Sequence, residues 1–157
     1  MKTEKYPDKA NVIIFPPLLF LSTLATGLLL SFFFPYHFLP WPPALFCGVM
    51  FAVIGFALLV YTARTMNSHK TTINPRGITT TIISIGIFKY SRNPMYISFG
   101  LIYTGIAIIT NAWLGILLLI PLFIIVQKGI VEREEKYLTQ KFGQDYLTYK
   151  ARVRRWF

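Results

Sequence analysis

The sequence predicts an all-α integral membrane protein with about four transmembrane helices and a cytoplasmic C-terminal amphipathic helix, and three observations carry that reading. Mean hydropathy is +0.52 and 54% of the 157 residues are apolar, well above soluble-globular usage. No Lys, Arg, Asp or Glu stands between Lys9 and Arg64, or between Arg92 and Lys128. A soluble fold needs charge on such stretches to wet its outer faces, whereas charge in hydrocarbon is expensive, so lipid is the simpler solvent. The basic residues also flank the apolar runs: Lys2, Lys5 and Lys9 precede the first, Arg64, Lys70, Arg76, Lys89 and Arg92 lie between the second and third, and the rest follow the fourth. By the positive-inside rule both termini and the 64–93 connection face the cytoplasm. The connections around His37 and Asn111, which carry no Lys or Arg, face out.

The elements follow in order within a single membrane domain, residues 1–157. The first span, 12–34, enters at Pro16-Pro17 and is ample for a hydrocarbon core of about 30 Å. A short turn with Tyr36 and Trp41, side chains suited to the interface, leads to a second span at 44–63, so the first two spans are expected to form a tight hairpin. Residues 64–93 are too polar to span and, at Ile82-Ile83-Ser84-Ile85, too apolar for a free linker. They read as a structured cytoplasmic loop packed on the bundle, with Gly77 and Gly86 permitting turns around Asn74-Pro75-Arg76 and beyond.

The third span, 94–110, opens on a local signal: Asn93 is a favoured N-cap and Pro94 fits the first helical position, where its missing N–H has no partner in any case. Asn111 turns the chain and Trp113 opens the fourth span, 113–127, which Pro121 is expected to interrupt. Residues 128–157 form the C-terminal cytoplasmic helices. Val131, Glu135, Leu138 and Phe142 recur there at helical spacing, Gly143 ends the helix, and 145–152 add a further turn or two. The basic, aromatic tail Arg154-Arg155-Trp156-Phe157 suits the headgroup layer.

Several function classes recede on these observations. A net charge of +10 and a pI near 9.9 would fit nucleic acid, but the basic residues sit where membrane topology puts them, and anionic lipid on the cytoplasmic leaflet is the expected partner. The first apolar run is too long for a signal peptide, and Phe32-Phe33-Phe34-Pro35 is no small-residue cleavage site. Cys47 stands alone inside a span, and His37 and His69 fall on opposite sides of the predicted membrane, so neither a disulfide framework nor a paired histidine site is expected. Nor does the sequence carry a phosphate-cradling glycine loop or a Cys/His metal spacing.

Two clusters could carry chemistry. Of six acidic residues, Glu132, Glu134 and Glu135 stand together where the fourth span leaves the membrane. Glu132 has Lys136 four residues on, an ordinary helical pair, but Glu134 meets Leu138 and Glu135 meets Thr139 at that spacing. Burial would raise the pKa of either unless a cation sits beside it; a solvated charge run is the plainer reading. The second cluster, Phe88 to Tyr96, places Arg92 beside a helix N-terminus, which suits a carboxylate or phosphate. On spacing alone the plainer reading is that Asn93 is only a cap and Arg92 only a positive-inside anchor. Both clusters fall on one predicted face and on adjacent helices.

The stretch Gly86-Ile87-Phe88-Lys89-Tyr90-Ser91-Arg92-Asn93-Pro94-Met95-Tyr96, followed by Glu134-Glu135, Phe142-Gly143, Tyr146, Tyr149, Val153 and Arg155-Trp156, resembles the isoprenylcysteine carboxyl methyltransferase and phospholipid methyltransferase superfamily in its prokaryotic-type form. The resemblance covers about half the chain. It implies a membrane-embedded enzyme, in a bacterial or archaeal inner membrane, that uses S-adenosylmethionine to methylate a lipidic or small hydrophobic acceptor. It further implies cofactor contacts from Thr80, Thr81, Ile82 and Ile83, from Phe88, from the Asn93-Pro94-Met95-Tyr96 turn and from Glu134, with Arg92, Glu134 and Glu135 as catalytic candidates. Methyl transfer is an in-line displacement that needs alignment and exclusion of water, with no metal or covalent nucleophile.

Two departures leave the acceptor open among carboxylate, amine and thiol. Ile130 stands where the prenylcysteine enzymes place a substrate-binding Arg, and Asn93 stands where they have His. A nicotinamide-dependent reductase of sterol-reductase-like architecture and a non-enzymatic small membrane protein are the alternative readings. Against transport, the first two spans carry no ionisable group and the chain shows no internal repeat.

Overall fold

The computed structural model describes residues 12–72, 77 and 79–156; Lys2, Lys5 and Lys9, the Asn74-Pro75-Arg76 turn and Phe157 of the tail lie outside the described residues. Among the described residues the secondary structure is entirely helical. Helices α1 (Pro16–Phe33) and α2 (Trp41–Ser68) precede a 3-10 turn at Gly86–Lys89; α3 (Pro94–Ile109) and α4 (Trp113–Val126) follow. A π turn at Gln127–Val131 joins α4 to α5 (Glu132–Phe142), and α6 (Gln144–Arg152) closes the set. Among the described residues, three helices are long and apolar enough to cross a membrane: α1, α2 and the continuous helix Trp113–Phe142, whose apolar part is α4. Helix α3 is as apolar but shorter.

Pro16 and Pro17 occupy the first turn of α1, and Pro42 and Pro43 that of α2, where a missing N–H costs nothing. Helix α2 runs five residues beyond the expected 44–63 span and absorbs Arg64 to Ser68; the Thr65 and Ser68 hydroxyls bond back to carbonyls of the preceding turn, so this polar end remains helical. Pro121 does not interrupt α4. It lies on the helix's exposed face, and α4 continues through it to Val126.

The expected hairpin of the first two spans does not form as a packed pair. Helix α2 packs along α3, while α1 packs on α4 and α3. Missing side chains set this arrangement, because apolar helices in lipid gain little from hydrophobicity and associate where backbones can approach. A Cβ on Gly48 would stand 2.7 Å from the Gly105 carbonyl oxygen and 2.5 Å from Ile109 Cγ1, and one on Gly27 would stand 2.5 Å from Gly115 Cα. Tyr103 closes the second contact, its buried hydroxyl donating to the Gly115 carbonyl at 2.9 Å. At one end of the bundle the two short connections meet: Leu39 N–H donates to Asn111 Oδ1 at 3.0 Å, and Trp113 Nε1 to the Phe34 carbonyl at 2.9 Å.

At the opposite end the chain thickens. The π turn adds one residue to the helix and so rotates α5 about 100° relative to α4. Its Gly129 carbonyl accepts the Ile13 amide at 3.4 Å. Ile130, where prenylcysteine enzymes have Arg, is 1% exposed within the apolar core. The tail from Val153 to Trp156 packs against the bundle. Trp156 stacks edgewise on Phe123 with ring centroids 5.6 Å apart, and its Nε1 donates to Gln127 Oε1 at 3.1 Å.

If backbone approach holds the α2–α3 pair, Gly48→Ala should cost about 1–3 kcal/mol through overpacking. Gly129→Ala, whose methyl would meet Ile13 Cδ1 at an ordinary 3.4 Å, should be nearly neutral. Unfolding of both variants in detergent, followed by circular dichroism, checks the difference.

Candidate functional site

The end of the bundle that gathers the C-terminus of α2, the start of α3 and helices α5 and α6 encloses a cavity. Its polar wall begins with the turn into α3. Ser91 is fully buried, and its Oγ accepts the Asn93 amide at 3.1 Å. Asn93 occupies the N-cap position but does not cap with its side chain. Instead Asn93 Nδ2 donates to the Arg155 carbonyl at 2.9 Å, and Ser91 Oγ donates to the same carbonyl at 3.3 Å. The Arg92 amide donates to the Arg154 carbonyl at 3.1 Å. The entry to α3 is therefore pinned by the chain's own tail.

Helix α5 supplies the acids. Glu135 is 5% exposed and holds three cations: Arg92 Nη2 at 3.0 Å, Lys150 Nζ at 3.2 Å, and Arg155 through Nε and Nη2, each at 3.0 Å, in the parallel fork that matches a carboxylate. Burial alone would raise the Glu135 carboxyl. The hydrogen bonds and charges of Arg155, Arg92 and Lys150 outweigh it and hold the group below its ordinary value. Glu132, expected to pair with Lys136, reaches Arg155 Nη1 at 3.5 Å.

Glu134 is the chemical opposite of its neighbour. It is half-buried, accepts the Tyr96 hydroxyl at 2.8 Å, and is pushed up to about 7, chiefly by burial and further by the charge of Glu135, with the Tyr96 hydrogen bond working against the shift. Two adjacent carboxylates are thus driven apart, one firmly ionised and one balanced near neutrality. Arg92 completes the wall: its side chain is 8% exposed, and Nε and Nη1 are buried with no hydrogen-bond partner. A buried guanidinium normally satisfies all its donors, so the two open nitrogens mark a place for an anion.

Of the residues singled out in sequence, Arg92, Glu134 and Glu135 all line the cavity, as do Thr81, Ile82 and Ile83, Phe88, and the turn from Asn93 to Tyr96. Thr80 does not: it is exposed, with its amide donating to Thr71 Oγ1 and its hydroxyl to the Lys70 carbonyl at 2.9 Å, so it braces the loop. His37 and His69 flank opposite ends of α2, and neither lines the cavity.

Sequence reasoning missed Met66, Thr71, Tyr137, Tyr146 and Tyr149 as lining residues. The two α6 tyrosines belong to the family-like motif, and three-residue spacing puts them on one helical face; that signal could have found them. Tyr149 donates to the Phe88 carbonyl at 2.8 Å, tying α6 to the 3-10 turn. Tyr146 is pushed up to about 12 by burial and by Glu135, with Arg92 opposing.

The fold and the site define a helical integral membrane protein with a largely apolar cavity, one wall of which carries Arg92, Glu134 and Glu135. Residues 43–145 match the phospholipid methyltransferase family, and the chain belongs to that family, which makes it a membrane methyltransferase. A 45-residue stretch is 44% identical to a Haemophilus influenzae protein described as an uncharacterized protein, covering 29% of this chain and 67% of that one. No solved structure matches the chain.

Because Glu135 is bound in its ionised form, its contribution to stability is present above its unfolded value near 4.5 and is lost as pH falls through its lower folded value. Glu135→Gln should cost about 2–3 kcal/mol at pH 7, less than a fully buried pair because two of the three cations are partly exposed. Denaturation of both proteins from pH 7 to pH 3 should show that difference shrinking toward the acid end.

Proposed function

We propose that this membrane methyltransferase draws its methyl group from S-adenosylmethionine and transfers it to a lipidic or small hydrophobic acceptor at the cytoplasmic face of the membrane. The observation that carries the reading is the pairing of Arg92, with two buried and unpartnered nitrogens, and Glu134, balanced near neutrality, on the wall of one cavity. The cofactor is a zwitterion at its amino-acid end. Its carboxylate fits the open Nε and Nη1 of Arg92, and its ammonium fits the carboxylate of Glu134. The aromatic faces of Phe88 and Tyr96, both lining the cavity, suit a sulfonium.

When bound, the cofactor supplies an activated methyl on positively charged sulfur. The chain's own work is to orient and to exclude water. Tyr96 fixes the rotamer of Glu134, Glu135 fixes Arg92, and Met66, Ile82, Ile83 and Leu138 supply apolar wall for the acceptor. Anionic lipid suits the basic residues that surround this end of the bundle, and with both termini cytoplasmic the cofactor enters from the cytosol while the acceptor arrives from the bilayer.

Calorimetry with S-adenosylhomocysteine should show binding to the purified protein that Arg92→Ala or Glu134→Gln weakens by about tenfold or more at pH 8 without preventing folding. Heat with NADPH and none with S-adenosylhomocysteine would point to a reductase instead. The pH dependence has a definite sign: an ammonium binds the ionised carboxylate, so affinity should rise about tenfold from pH 6 to pH 8 as Glu134 loses its proton, and Glu134→Gln should flatten the profile. Affinity that is flat or falls over that range in the unsubstituted protein would remove Glu134 from the role.

A further inference from the structure

Arg155 does not line the cavity, yet it makes more directed contacts around it than any lining residue described above. Its guanidinium holds both oxygens of Glu135 at 3.0 Å, and its carbonyl accepts Asn93 Nδ2 at 2.9 Å and Ser91 Oγ at 3.3 Å. The residue before it accepts the Arg92 amide. One tail residue thus grips the partner of the Arg92 side chain and the backbone turn that carries Arg92.

Geometry makes this consequential. Glu135 Oε1 is shared between Arg155 Nε and Arg92 Nη2, so the position of the carboxylate decides which nitrogens of Arg92 are engaged and which are left open. With Glu135 held side-on by the fork, Arg92 spends only Nη2 on it, and its buried Nε and Nη1 remain without a hydrogen-bond partner on a residue that lines the cavity. A carboxylate released from Arg155 would be free to rotate onto Arg92 and take those donors, as paired Arg and carboxylate groups tend to do.

We propose that Arg155 is a positioning residue: by clamping Glu135 it keeps two donors of Arg92 open for the carboxylate of a ligand. The inference rests on the proposed use of S-adenosylmethionine and adds to it the part played by the C-terminal tail.

Two probes separate positioning from general support. S-adenosylhomocysteine carries the amino-acid carboxylate; 5′-methylthioadenosine has the same nucleoside and sulfur without it. Arg155→Ala should weaken S-adenosylhomocysteine about tenfold, the loss of one charge-assisted hydrogen bond, while 5′-methylthioadenosine changes by less than about twofold. Arg92→Ala should do the same, and the double variant should be no worse than Arg92→Ala alone. Should Arg155→Ala fail to fold, Arg155→Lys carries the test. An ammonium keeps the charge but cannot make the fork, so it should lower S-adenosylhomocysteine affinity selectively and by less.

Equal weakening of both probes, or no change in either, overturns the positioning role while leaving the methyl-donor reading in place. Failure of the unsubstituted protein to bind S-adenosylhomocysteine strikes that reading first, and the role of Arg155 falls with it.

Discussion

One buried carboxylate organises the working end of this protein. Glu135 draws Arg92 from the start of α3, Lys150 from α6 and Arg155 from the tail onto a single side chain of α5. A carboxylate this deep would be costly alone, and the guanidinium of Arg92 would be costly without it. Each justifies the burial of the other, and neither fully satisfies the other: Glu135 divides its two oxygens among three cations, and two donors of Arg92 have no hydrogen-bond partner. The unmet donors are local and buried, on a residue that lines the cavity, and a preorganised charge of this kind needs no reorganisation to meet an anion.

The membrane bundle serves that end by being close-packed and plain. Glycine contacts bring α2 against α3 and α1 against α4, so the helices that deliver Met66, the Arg92 turn and the paired glutamates reach the same level in register. The π turn then adjusts what packing alone would misplace. An unbroken α-helix from Trp113 would carry the phase of α4 straight into α5; the extra residue turns α5, with Val131 buried on one side of the junction and Glu135 buried beside the cations on the other.

Much of the architecture could be read in advance because lipid imposes simple rules. The charge-free runs located the apolar helices, Pro94 marked the start of α3, and Gly143, with φ of +53°, ends α5 as its position in the pattern indicated. What stayed hidden were pairings between distant parts of the chain. No spacing rule tells that α1 leaves α2 for α4, because which glycine meets which is decided by shape complementarity among helices of nearly equal hydrophobicity. Glu135 showed as an acid in an apolar stripe, which is a signal of something, but its partners lie 15 to 43 residues away and could not be assigned. Asn93 illustrates the opposite error: local propensity named the correct position, and a tertiary contact to the Arg155 carbonyl took the side chain for another use.

The central claim is that Arg92 and Glu134 grip the two ends of one zwitterion. A structure of the protein with S-adenosylhomocysteine tests it most directly. The account predicts the ligand's carboxylate within hydrogen-bond reach of Arg92 Nε and Nη1 and its ammonium against Glu134, with the nucleoside inside the cavity. A ligand seated elsewhere, or seated there with its amino-acid end turned away from both side chains, would contradict it.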